Sequence, residues 1–466
     1  MRKSILTLLM LFLVICQVGA QKAKYVFFFI GDGMGVNQVN ATEMYLGELD
    51  GRIGIEKMLF SSFPVASFAS TYSVTNSITD SAAGGTALST GSKTYNGAIG
   101  VDANKARLES VAEKAKKAGK RVGITTSVSV DHATPAAFYA HQESRSWYYE
   151  IANEIPASNF DFFGGSGFLK PNKDKNGKEA PNVINTIENA GYTVARGLDE
   201  YNAKKATADK MVLIQKESAD QASLPYALDR KSGDLTLAQI TTSAVEFLTK
   251  DNNKGFFLMV EGGKIDWACH SNDAPTALNE VIDMNEAVKV AYEFYQKHPK
   301  ETLIVISADH ETGGLALGNS DYTLHFKNLS YQHMSLDAVS RRITDLRKGN
   351  ATWEDAKALL SECMGLFSQV KLTWEQERAL HDAFDESFTK RRVKFEESLY
   401  ARTEPLAVAA RDVMNQVAHM GWTTGAHSGG YVPVFAIGAG SELFAKGKME
   451  NTDIPKNIAK AGGYTK

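Results

Sequence analysis

Short apolar, β-branched or aromatic runs recur along the chain, at 25–30 (YVFFFI), 122–126 (VGITT), 256–260 (FFLMV), 303–306 (LIVI) and 432–437 (VPVFAI). Each is followed by a stretch that reads as helix or leads into one. Helical periodicity is plain at 108–117, 237–248 and 276–296. Strand followed by helix, repeated, is the pattern of a parallel sheet with helices on both faces. The expected fold is therefore α/β, a three-layer α/β/α arrangement around a large, mostly parallel central sheet. Between 163 and 178 the composition turns to Gly, Lys, Asn and Pro, which reads as a solvated loop leaving the sheet. From 319 to 420 the texture changes to charged, Glu/Lys/Arg/Ala/Leu-rich, helix-periodic sequence, and strand signal resumes only after it. That segment reads as an inserted helical subdomain, interrupting a core made of 21–318 and 421–466.

In such sheets ligands gather beyond the carboxyl ends of the strands, and this chain repeatedly places an acid or a histidine there. The first run leads into GDGMG and delivers Asp32 between glycines. The third ends in EGGKIDWACH, delivering Glu261, Asp266 and His270. The fourth ends in SADHETGG, delivering Asp309 and His310, and GAHSGG offers His427 just before the last run. Singly, an aspartate in GDG is most often a turn residue, and Asp266 with His270 is an ordinary i,i+4 helix pair. Together they form a mixed nitrogen and oxygen donor set of the kind that holds zinc, while carboxylates with hydroxyls suit magnesium. Ser81 stands where SAAGGTALST begins a helix, so its hydroxyl faces the positive end of the helix dipole and free N–H groups, a natural seat for phosphate. Read alone, Asp80 or Ser81 is simply an N-cap.

The first residues, MRKSILTLLMLFLVICQVGAQ, combine Arg2 and Lys3, a short apolar run and small residues at Gly19 and Ala20. They read as a secretory signal, 1–20, cut near Ala20 and Gln21. The run falls short of the roughly 20 residues that a spanning helix needs. A lipid anchor on Cys16 is disfavoured by bulky Ile15. Loss of the two signal cations moves the formal charge from −3 to about −5. Nothing in this balance suggests a nucleic-acid partner, and no later segment is long and apolar enough to span a membrane. The remaining cysteines, Cys269 and Cys363, could form one bridge on parity alone.

The blocks FFFIGDGMG, TDSAAGGTALSTGSKTYNGAIGVD, ATPAAFYAHQESR, VEGGKIDWACH, ADHETGGLA and GAHSGG resemble, in order, the site segments of the alkaline phosphatase family. The likeness runs from about residue 25 to 318 and resumes from about 421 to 439. It implies a secreted or periplasmic phosphomonoesterase with two zinc ions and one magnesium ion per chain. Ser81 would attack phosphorus and become phosphorylated, and Arg145 would grip two phosphate oxygens. Asp266, His270 and His427 would hold one zinc. Asp32, Asp309 and His310 would hold the second, beside Ser81. Asp32, Thr134 and Glu261 would form the magnesium site. Asp80 would orient Arg145. His132 and Trp267 stand where the best-studied bacterial pattern has Asp and Lys, near the third metal and the phosphate, so magnesium affinity and pH optimum do not carry over. His325, His333, His381 and His419, inside the insertion, read as solvated or structural. The segment 319–420 is longer than the bacterial pattern leads one to expect, and it could shape the site's rim, support a homodimer or touch another partner. The rival readings are a phosphodiesterase or sulfatase on the same sheet, and a catalytically silent phosphate-binding protein. Ser81, Arg145 and the complete ligand set favour monoester hydrolysis with broad tolerance of the leaving group.

Overall fold

The computed structural model describes residues 22–319, 322–389 and 393–464. The expected signal segment lies outside them. Ten strands make one sheet: β1 (Tyr25–Gly31), β2 (Val65–Ser70), β3 (Arg121–Thr126), β4 (Phe162–Gly164), β5 (Thr193–Arg196), β6 (Met211–Ile214), β7 (Phe256–Gly262), β8 (Thr302–Ser307), β9 (Val432–Gly438) and β10 (Lys448–Glu450). Their order is β10-β2-β9-β8-β1-β7-β3-β4-β6-β5. All neighbours run parallel except at β9, which is antiparallel to both β8 and β2.

Strand register decides where the functional side chains emerge. Tyr25 lies opposite both Phe256 and Thr302, so Ile30 of β1 sits beside Glu261 of β7 and Ser307 of β8. Three adjacent parallel strands therefore end level, and the residues just beyond them leave the sheet at one edge.

Every residue of β1 is buried, as both faces of the sheet are covered. Helices α1 (Val36–Leu49), α3 (Leu237–Thr249) and α4 (Lys264–His270) pack around the long α5 (Ala274–Lys297), which lies on β1, β7 and β8. A second set, α2 (Ser81–Thr90) with the helices Val111–Lys117 and Asp453–Gly462, approaches β1, β3 and β7 from the opposite side. Alternation along β1 sends aromatic rings both ways. Phe27 meets Phe256 and Phe294 with ring centroids 5.1 and 5.7 Å apart, while Phe28 meets Phe138 at 6.1 Å on the other face.

The periodic stretches become helices at nearly the expected places. The one at 108–117 starts at Val111 because Ser110 caps it: Glu113 N donates to Ser110 Oγ, and Ser110 N donates to the Glu113 carboxylate. The stretch 163–178 needs correcting in its first part. Phe162–Gly164 is strand β4, and the chain stays buried through Phe168, because these glycines pass beneath packed side chains. A Cβ on Gly164 would collide with the side chain of Ile240. Only the charged part beyond is solvated.

Residues 319–420 contribute α6 (Leu336–Leu346), α7 (Trp353–Met364), α8 (Trp374–Thr389) and α9 (Pro405–Ala418). They share an apolar cluster distinct from the sheet's core, including Leu360, Met364, Leu380, Leu406 and Met414, and lean on Ala41 and Tyr45 of α1 and Leu278 of α5. Between α8 and α9 a narrow hairpin pairs Glu396–Glu397 with Arg402–Thr403. Cys269 and Cys363 are buried free thiols in different clusters. Among the described residues no helix is long and apolar enough to cross a membrane.

Phe28→Ala should lower the unfolding free energy by about 3–5 kcal/mol, the range for emptying an aromatic side chain's place in a packed core. Ile53→Ala, at a fully exposed position, should stay within about 0.5 kcal/mol. Denaturant titration of both variants checks this contrast.

Candidate active site

Asp32 follows β1 directly and is fully buried, with neither carboxylate oxygen hydrogen-bonded. The next residue, Gly33, has φ +71°, and a Cβ there would lie 2.8 Å from Asp266 Cα and 2.9 Å from its carboxylate. Glycine is what lets the first helical turn of α4 approach the end of β1. Gly33 N also donates to Asp309 Oδ1 at 3.3 Å. Glu261, at the end of β7, accepts from Thr126 Oγ1 of β3, while its Oε1 has no partner. Level strand ends have thus drawn Asp32, Glu261 and Asp309 together, and α4 adds Asp266.

The histidines are aimed by their outer nitrogens. His270 Nδ1 lies 2.7 Å from Gly425 O and His427 Nδ1 lies 2.9 Å from Thr79 O. Each therefore turns Nε2 inward, in the manner of metal-ligating imidazoles oriented by backbone carbonyls. His270 Nε2 is 3.3 Å from Asp266 Oδ2, and His427 Nε2 is 3.7 Å from Asp266 Oδ1. His310, stacked on His427 at 3.6 Å, places Nε2 3.4 Å from both Asp32 Oδ1 and Asp309 Oδ2.

Ser81 is the first residue of α2 and is buried, its Oγ 3.2 Å from His310 Nε2. Asp80 caps the helix: its Oδ1 accepts from Ala83 N and Gly97 N, both at 3.0 Å, and its Oδ2 accepts from Arg145 Nη1 at 3.1 Å. The ordinary N-cap role and the expected orientation of Arg145 are one arrangement. A Cβ on Gly84 would lie 2.9 Å from Asp309 O, so glycine also brings this helix start against the end of β8.

Among the described residues, ligand atoms converge in three groups, Asp266/His310/His427, Asp32/Asp309/His310 and Asp32/His132/Glu261, with the atoms of each group within 4.8 Å of one another. The second is the expected set. The first has His310 where His270 was expected, although His270 Nε2 is only 3.2 Å from His427 Nε2. The third joins His132 to Asp32 and Glu261. Thr134 lies among the same acids, its Oγ1 3.3 Å from Asp309 Oδ2 and its side chain also hydrogen-bonded to Glu261. Burial and neighbouring carboxylates drive the Asp32 carboxyl well above the usual range. Burial is also the main cause that raises Glu261 to about 8 and Asp309 to about 7. Burial opposes ionisation of Asp266 too, but His270, His427 and His310 outweigh it and hold its carboxyl below the usual range. Burial, reinforced by Arg145, lowers His132 to about 3. Buried carboxylates with unpartnered oxygens, interleaved with imidazoles, fit divalent cations.

Residues 23–464 match the family model for alkaline phosphatase. The chain belongs to the alkaline phosphatase family. It is 34% identical over 455 residues to alkaline phosphatase 3 of Bacillus subtilis, covering 95% of this chain and 89% of that protein. The crystal structure of a cold-active alkaline phosphatase from Shewanella sp. superposes with a TM-score of 0.78 at 30% identity, covering 94% of this chain and 99% of the other. A variant of TAB5 alkaline phosphatase in which glutamate replaces a histidine, solved with magnesium in its M3 site, superposes with a TM-score of 0.66 at 26% identity over 96% of this chain and all of the other. Membership makes the chain a phosphomonoesterase of a metal-dependent family.

Of the expected substrate-contacting residues, His132 meets Arg145 (Nη2 to Nε2, 3.5 Å), and Trp267 faces His132 with ring centroids 6.0 Å apart. His325, His333, His381 and His419 enter none of these ligand groups: His325 and His419 pack on each other, His381 packs on Trp353, and His333 N donates to Cys363 O at 2.8 Å. Sequence reading missed two neighbours. Thr312 Oγ1 donates to Asp266 Oδ1 at 2.5 Å and lies 3.2 Å from His310 Nδ1; its place two residues after His310 in ADHETGG was a usable signal. Tyr400, from the hairpin between α8 and α9, had none.

Stripped of divalent cations by a chelator, the protein should lose stability as pH rises. Glu261 and Asp309 titrate near 8 and 7 when folded, and near 4 when unfolded. Folding therefore favours their protonated forms, and stability falls as pH climbs through that window. Cation-loaded protein should show a much flatter profile. Thermal melts from about pH 5 to about pH 9, with and without chelator, check it; coincident profiles would show that these carboxylates hold no cation.

Proposed function

We propose that the chain hydrolyses phosphate monoesters through a phosphoserine at Ser81. The observation that carries this is the nucleophile's setting: a buried serine at a helix start, 3.2 Å from His310 Nε2, with Arg145 fixed by the adjacent Asp80. Asp266, His270 and His427 would hold one zinc, and Asp32, Asp309 and His310 a second that also meets Ser81. Asp32, Thr134 and Glu261 would hold magnesium, with His132 at its edge. Magnesium bound in the M3 site of the TAB5 variant supports a third site of this kind. Such cations supply positive charge that favours the alkoxide of a serine, the departing oxygen and the ionisation of water.

The chain's own groups account for the rest. Arg145 presents a planar fork to two non-bridging phosphate oxygens, and the start of α2 adds the positive end of its dipole. Ser81 Oγ bonds to phosphorus as the ester P–O bond breaks on the far side. Water then bonds to phosphorus as the Ser81–phosphorus bond breaks, and serine is restored. Two in-line displacements give net retention. Contacts fall on the phosphoryl group, so the leaving group matters little. The residues at 1–20 support export to the periplasm or beyond. Exposed Val36, Phe68 and Tyr431, which line one pocket, offer an apolar face that a second copy could cover in a homodimer.

Ser81→Ala should abolish acid-stable phosphoprotein and cut turnover of a chromogenic monoester by at least about a thousandfold, with metal content unchanged. Labelling that persists at another residue would refute the assignment of Ser81. Elemental analysis should find about two tightly held zinc ions per chain. The matching diester and sulfate should turn over far more slowly than the monoester; a faster diester would reassign the substrate class.

A further inference from the structure

Arg145 is held by Asp80 and His132 of the catalytic core and, from outside that core, by a tyrosine. Nη1 donates to Asp80; Nη2 donates to Tyr400 Oη at 3.1 Å. Tyr400 sits in the turn of the hairpin joining α8 to α9, 255 residues further along the chain. Its ring lies flat on Trp267, with centroids 4.4 Å apart and planes 13° apart, and its Oη is 3.3 Å from His132 Nε2. A guanidinium only donates, so Tyr400 Oη accepts from Arg145 and its own proton is free to go to His132 Nε2. The turn is braced: Ser398 N donates to Ala401 O at 2.9 Å. Arg411 of α9 ties it down, reaching Glu396 at 2.5 Å and Ser271 O, just after α4, at 3.2 Å.

We propose that Tyr400 is a positioning residue for phosphate, fixing the second arm of the Arg145 fork so that the helical insertion completes the phosphate seat. The inference rests on the assignment of Arg145 to phosphate oxygens. A side chain as free as arginine loses rotamer freedom when it binds. Asp80 restrains one arm and Tyr400 the other, so this cost falls at folding and not at each binding event. Removing the hydroxyl should therefore weaken phosphate binding, while the bond-breaking steps, which use Ser81, stay intact.

The test uses full-length, metal-loaded protein, a chromogenic phosphate monoester and inorganic phosphate as competitor. Tyr400→Phe keeps the ring on Trp267 and removes only the hydroxyl. It should raise KM and the inhibition constant of phosphate together, by roughly fivefold to tenfold, with kcat within about threefold. Tyr400→Ala should raise both further, and Leu399→Ala, at the exposed neighbouring position, should change neither. In an Arg145→Ala background Tyr400→Phe should have no further effect on phosphate inhibition. Unchanged constants in Tyr400→Phe, a fall in KM, a loss confined to kcat or to metal content, or an undiminished effect without Arg145 would each overturn the proposal. If the wild-type protein itself hydrolyses no monoester, the underlying assignment fails; if it is active and Tyr400→Phe matches it, only the role of Tyr400 does.

Discussion

Four carboxylates, from Asp32, Glu261, Asp266 and Asp309, are buried in one pocket, and their mutual repulsion is the condition the surrounding structure has to meet. Such a cluster is costly unless positive charge is close. The chain brings that charge in layers. His270, His310 and His427 interleave with the acids, the start of α2 points its dipole at them, and Arg145 stands beyond Ser81. Unpartnered oxygens on Asp32, Glu261 and Asp266 mark where divalent cations fit.

The crowding is produced by backbone geometry. β7, β1 and β8 are parallel neighbours in register, so acids at their ends or one or two residues past them cannot avoid one another. Gly33 and Gly84 remove the side chains that would keep α4 and α2 away. Behind the edge, the rings of Phe27, Phe28, Phe138 and Phe256 hold the strands at fixed spacing, and interiors packed this way yield little to local repulsion.

Much of this was legible because the informative residues stand immediately after strong strand signals. Asp32, Glu261 and Asp309 could be placed on one edge without coordinates, and Ser81 at a helix start followed from SAAGGTALST. Other features depended on long-range packing that leaves no local trace. The start of 163–178 reads as loop because Gly164 and Gly167 make room for Ile240 and Gln221, a constraint set by distant residues. The strands β5 and β6 are four residues each, too short to show a period. Sharing of His310 between two ligand groups follows from side-chain direction, and spacing alone does not encode that. Tyr400 lies in an unremarkable SLYART stretch, and only the anchoring of its hairpin by Arg411 gives it meaning.

The antiparallel strand of the ten-stranded sheet also sets an order of events during synthesis. β9 slots between β8 and β2, partners that left the ribosome more than a hundred and several hundred residues earlier respectively. His427 enters with it, after the helices of 319–420 have been made. The apolar cluster of those helices is built largely from residues 326–420, whereas the ligand pocket draws residues from 32 to 427. A nascent chain ending before residue 420 would carry Ser81, Arg145 and all four acids around an open pocket. Completion of the site thus reports that the chain has been made and folded at least as far as β9.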